Sequence, residues 1–437
     1  MTVVERRAPV VGTRQLRRED PALLSGEARF VDDLVVPGAA HLAVVRSHVA
    51  HARIRSVDTA AAAAMPGVLS VLTGADLASD WLSPMPCAWP VTEDMRNPPH
   101  YPLATEEVCH VGDGIAVVVA DSDAAARDAA AAVVVDLDEL PAVVDLEDAL
   151  SDRALVHASL GTNRCYDWEL TPDAPAVESA FAQAAHVVRR RYLQQRLIPS
   201  AMEPRGVVVV PEPHGGGITL WSSTQIPHVL RVMVAVTLGV PESKLRVVAP
   251  SVGGGFGSKL DVYAEELIAV TLARRLRRPV RWREERSENA VATVQGRGQV
   301  QDIELAADAS GKVTAVRVRL IADMGAYLQL VTPGIPLLGA FLYQGAYDVP
   351  AYSFRCTGVF TTKTPTDAYR GAGRPEATYA IERAMDALAS ETRLDPAELR
   401  RRNFVPANRF PYTSAPGLVY DSGDYGASLD AALALAG

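Results

Sequence analysis

The chain has 437 residues, 22% of them charged and 48% hydrophobic, with a formal net charge of -9. That length predicts two or three domains with sizeable cores, and the acidic balance argues against nucleic acid as the main partner. The four cysteines (Cys87, Cys109, Cys165 and Cys356) stand far apart with no CxxC, which excludes a recognisable iron–sulfur or zinc motif and a disulfide scaffold.

The N-terminal stretch has no apolar core of signal-peptide length, and no run of ~20 apolar residues reads as a membrane span, so a cytoplasmic location is expected. To about residue 150 strands and helices mix. "GAAHLAVVRS" and "GVLSVLTG" read as strands, with a short alanine helix from Thr59 to Met65 between them. "SPMPCAWPVTEDMRNPPHYP" carries six prolines and reads as an irregular surface loop. Ile115 to Ala120 is a buried strand, Asp121 or Ser122 caps an alanine helix, and Val133 to Leu137 returns as a strand. Ser151 to Pro175 is polar and irregular and reads as a linker.

A second region opens with the helix "AVESAFAQAAHVV" and a strand from Arg190. A hairpin follows in "RGVVVVPEPHGGGITLWSST", then helix, glycine stop and strand in "IPHVLRVMVAVTLGVPESKLRVVAP". A second hairpin turns at Asp308 to Gly311. "PEATYAIERAMDALASET" is an amphipathic helix, and Asp395 with Pro396 opens another. The last stretch, "YDSGDYGASLDAALALAG", starts a helix capped by Ser422 or Asp424 and reads as an element whose continuation is absent.

Three stretches are rich in hydrogen-bond donors. "VGGGFGSKL" fails both common phosphate patterns: Ser258 stands where a P-loop needs glycine, and also where a dinucleotide fingerprint needs its third glycine. Bare glycine backbone before a helix expected to begin near Ser258 favours an anionic group, although a tight turn without a ligand explains the spacing equally well. "STQIPHVL" offers Gln225, either as an amide donor or as a polar residue at a helix start. "TPTDAYRGAGRPEA" sets Arg370 and Arg374 about a Gly-Ala-Gly turn before another helix, a place suited to phosphate or carboxylate unless backbone carbonyls satisfy the arginines. His/Cys clusters with metal-ligand spacing and a GxSxG elbow are missing. The three loops suit a large anionic cofactor better than a metal held by side chains.

The chain resembles the molybdenum-binding large subunit of the xanthine dehydrogenase, aldehyde oxidase and aerobic carbon monoxide dehydrogenase family. The resemblance rests on "RREDPALLSGEARFVDDL", "MEPRG" at 202–206, "STQ" at 223–225, "GGGFGSK" at 253–259, the run 368–404 and "FPYTSAPGLVYDSGDY". It implies an α+β fold: an α/β-hammerhead domain over 15–150, a linker over 151–175, a first molybdopterin-binding domain over 176–410, and the start of a truncated second one over 411–437. It also implies molybdopterin cytosine dinucleotide, whose dithiolene holds the molybdenum, so no side chain ligates the metal. Gly254, Gly255, Phe256 and Gly257 would line the cofactor, as would Ala368, Tyr369, Arg370 and Gly371. Gln225 would donate to an oxo ligand of the metal.

The carbon monoxide enzymes of the family carry a copper-binding cysteine where this chain has Gly371. A dehydrogenase or hydroxylase of aldehydes or N-heteroaromatic C–H bonds, with water as oxygen source, is therefore expected over a carbon monoxide enzyme. Electrons would leave through separate iron–sulfur and FAD-binding subunits, with neither cluster nor flavin in this chain. The family's catalytic glutamate lies beyond the matched motifs, so full activity is expected to need the C-terminal half of the large subunit, on this or a second chain. The other reading is a non-catalytic remnant or assembly subunit. A plain nucleotide-binding protein rests on the glycine loop alone.

Overall fold

The structure, a computed structural model, describes residues 10–437. Two sheets carry it. Seven strands form the first, in the order Leu245–Val248, Ile218–Ser222, Gly206–Pro211, Val280–Arg283, Ala40–Arg46, Gly114–Ala120 and Val68–Thr73. The hydrophobic strands on either side of residue 150 thus share one sheet, joined where Ala40–Arg46 runs parallel to Val280–Arg283. Successive side chains of a strand face opposite ways. Leu42, Val117, Val119, Val207, Val209 and Leu220 accordingly pack on one face with Leu230 and Leu267, from the helices Pro227–Leu238 and Ala264–Leu276. Val118 turns to the other face against Ala62 and Ala129.

The second sheet has five strands, ordered Arg164–Leu170, Ala351–Phe360, Val313–Gly325, Gly296–Ala307 and His186–Leu197. Its largest core packs Tyr343, Phe354, Phe360, Ile381, Met385 and Leu388 beneath the helix Arg374–Thr392. This mixture of sheets and helices is the α+β class expected. A smaller three-stranded sheet pairs Ala52–Asp58 with Glu107–Val108 and Val134–Glu139.

Three sequence expectations need correction. Part of the stretch read as a linker, Arg164–Leu170, is an edge strand whose Cys165 and Tyr166 are buried; its partner Ala351–Phe360 is remote in the chain, so no local signal marks it. The proline-rich loop is not merely a surface excursion. Ala88 N donates to Leu330 O at 2.8 Å and Arg96 N to Cys165 O at 3.0 Å, which lays the loop across the second sheet's domain. The helix expected near Ser258 begins instead at Ala264. Ser258 Oγ turns back into the loop, donating to Gly255 O at 2.8 Å, and the helix is closed at its start by Tyr263 N donating to Glu266 Oε2 at 3.0 Å. The final helix, Tyr425–Ala436, is capped by Asp424 and has no buried residue. No helix among the described residues is long and apolar enough to cross a membrane.

Candidate functional site

The strand Ile218–Ser222 runs out of the first sheet into Ser223, Thr224 and Gln225. Gln225 N donates to Lys259 O at 2.8 Å, and Thr224 Oγ1 donates to the same carbonyl at 3.3 Å. This stitches the strand end to the base of the glycine loop. Lys259, at the base of the glycine loop, is buried. Its Nζ donates to Glu203 Oε2 at 2.9 Å and to Ser223 Oγ at 2.6 Å, and Gly253 N donates to the same carboxylate at 2.7 Å. Burial lowers the ammonium's pKa and Glu203 opposes the shift. Glu203 therefore anchors the loop from below, a role that only its long-range partners reveal.

Above that base the loop is held open by its backbone. Gly254 and Gly257 have φ of 96° and 100°, and Phe256, 40% exposed, has φ of 54°. Gly257 N donates to Gln225 Oε1 at 2.9 Å. With its oxygen so engaged, the Gln225 amide turns its N–H groups outward from an exposed side chain. A Cβ on Gly255 would lie 2.3 Å from that same Oε1, and one on Gly257 would lie 2.3 Å from Ala368 O.

Ala368 belongs to the second loop, so the two glycine-rich segments meet. Arg370 N donates to Phe256 O at 2.8 Å. Arg297 supports the second loop from the second sheet: its guanidinium donates to Tyr369 O at 3.2 Å and Arg370 O at 2.9 Å, and stacks 4.7 Å from the Tyr369 ring. Gly371, Ala372 and Gly373 all have positive φ, and the helix follows at Arg374, as expected. Arg374 spends its guanidinium on Gly371 O at 3.2 Å. Among the described residues the Arg370 guanidinium has no hydrogen-bond or ion-pair partner, and it is exposed.

Two buried carboxyls pin the loop bases to one segment. Asp261 Oδ1 accepts from Leu330 N at 3.2 Å; Asp367 Oδ2 accepts from Val331 N at 3.0 Å and from Thr332 Oγ1 at 3.2 Å. Burial pushes the Asp367 carboxyl up to about 6. Burial and the neighbouring Asp367 charge also push the Asp261 carboxyl well up. Deeper still, Arg205 of "MEPRG" donates to Glu265 Oε2 at 2.8 Å and to Glu284 Oε1 at 2.6 Å, while Arg46 reaches Glu265 at 2.5 Å from the N-terminal segment. Burial would raise the Glu265 carboxyl, but Arg205 and Arg46 hold it down to about 2.

All the sequence-predicted residues thus gather on two touching loops and the strand end beside them. The N–H groups of Gly254, Gly255, Phe256, Tyr369 and Gly371 donate to no other protein group among the described residues. With the free Arg370 cation and the outward Gln225 amide, this is a donor-rich, open cradle. It fits an extended anionic group carrying phosphates or several acceptors. The donors come from loop backbone, since the helix dipole expected at Ser258 begins too far along the chain.

Comparison with known proteins places the chain in a family. The model for "Molybdopterin cofactor-binding domain" matches residues 156–404, and that for "Aldehyde oxidase and xanthine dehydrogenase, a/b hammerhead domain" matches 25–141. The carbon monoxide dehydrogenase large chain of Hydrogenophaga pseudoflava is 38% identical over 432 residues, covering 95% of this chain and 53% of that one. The nicotinate dehydrogenase large molybdopterin subunit of Eubacterium barkeri is 29% identical, covering 90% of this chain and 89% of that one. Among solved structures, quinoline 2-oxidoreductase from Pseudomonas putida 86 superposes with a TM-score of 0.92 at 39% identity, covering 97% of this chain and 54% of that one. The chain spans about half the length of several curated relatives, the carbon monoxide dehydrogenase large chain among them.

Proposed function

The chain belongs to the aldehyde oxidase and xanthine dehydrogenase family of molybdenum-binding subunits, and from that premise we propose that it forms one wall of the cofactor site in a molybdenum hydroxylase. The observation that carries the proposal is the pair of touching glycine loops, in which the amides of Gly254, Gly255, Phe256, Tyr369 and Gly371 have no protein partner among the described residues. When bound, a molybdopterin cofactor supplies the redox centre for oxidising a C–H bond with water as oxygen source.

The chain's own residues bind and orient. Loop amides and Arg370 take the anionic oxygens of the cofactor's phosphates, as bare peptide N–H groups and a guanidinium do for phosphate generally. Donors spread over two loops suit the linked phosphates of the cytosine dinucleotide form better than the single phosphate of the simple cofactor. Gln225, fixed through Oε1, offers its amide N–H to an acceptor on the cofactor. Ala368 and Gly257, in backbone contact, keep the two loops at one separation.

Aldehydes or N-heteroaromatic rings are the proposed substrate class. A copper-ligating thiolate does not fit at Gly371: φ there is 106°, and a Cβ would lie 2.3 Å from the Pro375 ring. The general base, the rest of the cofactor site and the iron–sulfur and FAD-binding subunits belong, on this reading, to the remainder of the large subunit and to partner chains.

The test is co-expression of this chain with the remainder of its large subunit and the two electron-transfer subunits. Stoichiometric molybdenum, release of CMP on acid hydrolysis, and turnover of an aldehyde or N-heteroaromatic panel that drops in Gln225→Ala are the expected results. A complete assembly without molybdenum would overturn the reading and leave the non-catalytic alternative.

A further inference from the structure

Away from the glycine loops, the small sheet assembles a second group of ligating side chains. Ala52 pairs with Val108 and Arg53 with Glu107 in antiparallel register, which sets His51 across from Cys109. Glu107 and Cys109, two residues apart on an extended strand, face the same way, and Val108 between them faces the opposite core. His51 Nε2, a Glu107 carboxylate oxygen and Cys109 Sγ accordingly all lie within 4.8 Å of one another. His157, from the chain that follows the small sheet, brings Nδ1 to 4.0 Å from Cys109 Sγ.

The outer hydrogen bonds fix which ring atoms look inward. His51 Nδ1 lies 2.9 Å from Pro141 O, and His157 Nε2 lies 2.6 Å from Ala326 O. A carbonyl only accepts, so those nitrogens carry the protons. His51 Nε2 and His157 Nδ1 are left presented to the cluster. A backbone carbonyl behind each imidazole is the support that metal-ligating histidines commonly have. Cys109 is steadied by its own N–H, which donates to Asp113 Oδ2 at 3.1 Å. Further polar contacts are a bond between Cys109 and the Tyr327 hydroxyl, a long one from Cys109 Sγ to Val156 O at 3.9 Å, and His51 Nε2 to Glu107 Oε1 at 2.7 Å, which needs a second proton that a bound cation would displace.

We propose that His51, Glu107, Cys109 and His157 form a tetrahedral site for a zinc-class divalent cation, stapling the small N-terminal sheet to the domain that holds the glycine loops. Two imidazoles, one thiolate and one carboxylate are a ligand set for Zn²⁺ rather than for Mg²⁺ or Ca²⁺. Tetrahedral bonds of ~2.0–2.3 Å put neighbouring ligand atoms roughly 3.5 Å apart. The 2.7 Å His51–Glu107 distance must therefore open, the other separations within the His51, Glu107 and Cys109 group, up to 4.8 Å, must close in, and the His157 ring, 4.0 Å from Cys109 Sγ but outside that mutually close group, must swing inward by about an ångström or more to complete the set. Glu107 keeps 33% of its side chain exposed and gives the ion a way in. The other three ligands are buried or nearly so, which suits a closed structural site.

The full chain, stripped with chelator and dialysed, is titrated with Co²⁺ as a spectroscopic stand-in for Zn²⁺. Expected are one equivalent bound, a thiolate-to-cobalt charge-transfer band, displacement of that band by Zn²⁺, and a raised melting temperature. Cys109→Ser should lose the band, which also controls for the other three cysteines. His51→Gln should lose saturable binding, and His157→Gln should weaken it by at least about tenfold. Metal-free circular dichroism and melting of each variant show whether it is folded, and the conclusion is taken from any variant that is. Failure of the wild-type chain to take up one equivalent, or an unchanged band in Cys109→Ser, overturns the site. Unchanged affinity in His157→Gln overturns the staple. None of these readouts depends on molybdenum or turnover.

Discussion

Gly255→Ala isolates what Gln225 does from what the glycine loop does. Gly255 has no positive φ, so alanine adds no backbone strain there. Its Cβ would instead sit 2.3 Å from Gln225 Oε1 and 2.7 Å from Cδ, and the exposed Gln225 side chain has room to swing away. That swing breaks the 2.9 Å bond from Gly257 N. One neutral hydrogen bond is worth about 1 kcal/mol, so the chain should melt within about 2 °C of wild type. A donor aimed at a charged acceptor is worth about 1.5–3 kcal/mol, so the assembled enzyme should lose about tenfold to a hundredfold in cofactor affinity or turnover. Gln225→Ala should lose as much, and because both changes delete the same amide, the double variant should lose no more than either single one. Gly257→Ala is the contrast. Its φ of 100° forces strain of roughly 1–3 kcal/mol, and its Cβ meets the Ala368 backbone, which cannot rotate aside. It should lower the melting point of the chain itself as well as cofactor retention. The reasoning is refuted by Gly255→Ala retaining full molybdenum and turnover, or by its effect adding in full to that of Gln225→Ala.

Burial pushes Glu266 up to about 7, against bonds from Ser222 Oγ and Tyr263 N that favour the anion. A carboxyl raised in the fold supports stability below its ordinary pKa, and that support is lost as pH rises through 7, approaching roughly 3 kcal/mol. Glu266→Gln should match wild type near pH 4.5 and exceed it by up to that amount at pH 8 in urea unfolding; parallel pH profiles would disprove this. Arg205→Met leaves Glu284 as a buried charge without its cation and Glu265 with Arg46 alone, and should cost about 3–5 kcal/mol, measured the same way. Because Glu265 is held low, the stability from its pairing is present above its ordinary pKa and is lost only as pH falls toward 2; the variant's deficit should shrink over that acid range.

Much of this was legible in the sequence because it is written locally. Ser122, Asp395 and Asp424 cap the helices that follow them, as their short polar side chains imply. The Asp308 to Gly311 turn closes its hairpin, with Asp308 Oδ1 accepting from Ser310 N and Lys312 N. What was missed depends on partners far along the chain. Arg164–Leu170 becomes a strand only because Ala351–Phe360 offers it an edge. Lys259 becomes an internal strut only because Glu203 lies beneath it. The His51, Glu107, Cys109 and His157 group has none of the short ligand spacings by which metal motifs are read. The glycine loops could each be seen, but their meeting came from the family resemblance and not from spacing.

That meeting explains why two non-glycine residues tolerate a left-handed backbone here. Phe256, at φ 54°, and Ala372, at φ 46°, each carry a conformational cost that the surrounding bonds must offset. Across the junction, Phe256 O accepts from Arg370 N; within the second loop, Ala372 N donates to Tyr369 O at 2.7 Å. Arg297 holds the carbonyls of Tyr369 and Arg370, and Asp261 and Asp367 tie both loop bases to residues 330–332. Each loop is therefore kept in its donor-exposing shape partly by the other. The free amides are a property of the pair, which is why a cradle for an extended anion can be built without a P-loop, a helix N-terminus directly after the first loop's glycines, or an exposed lysine in that loop.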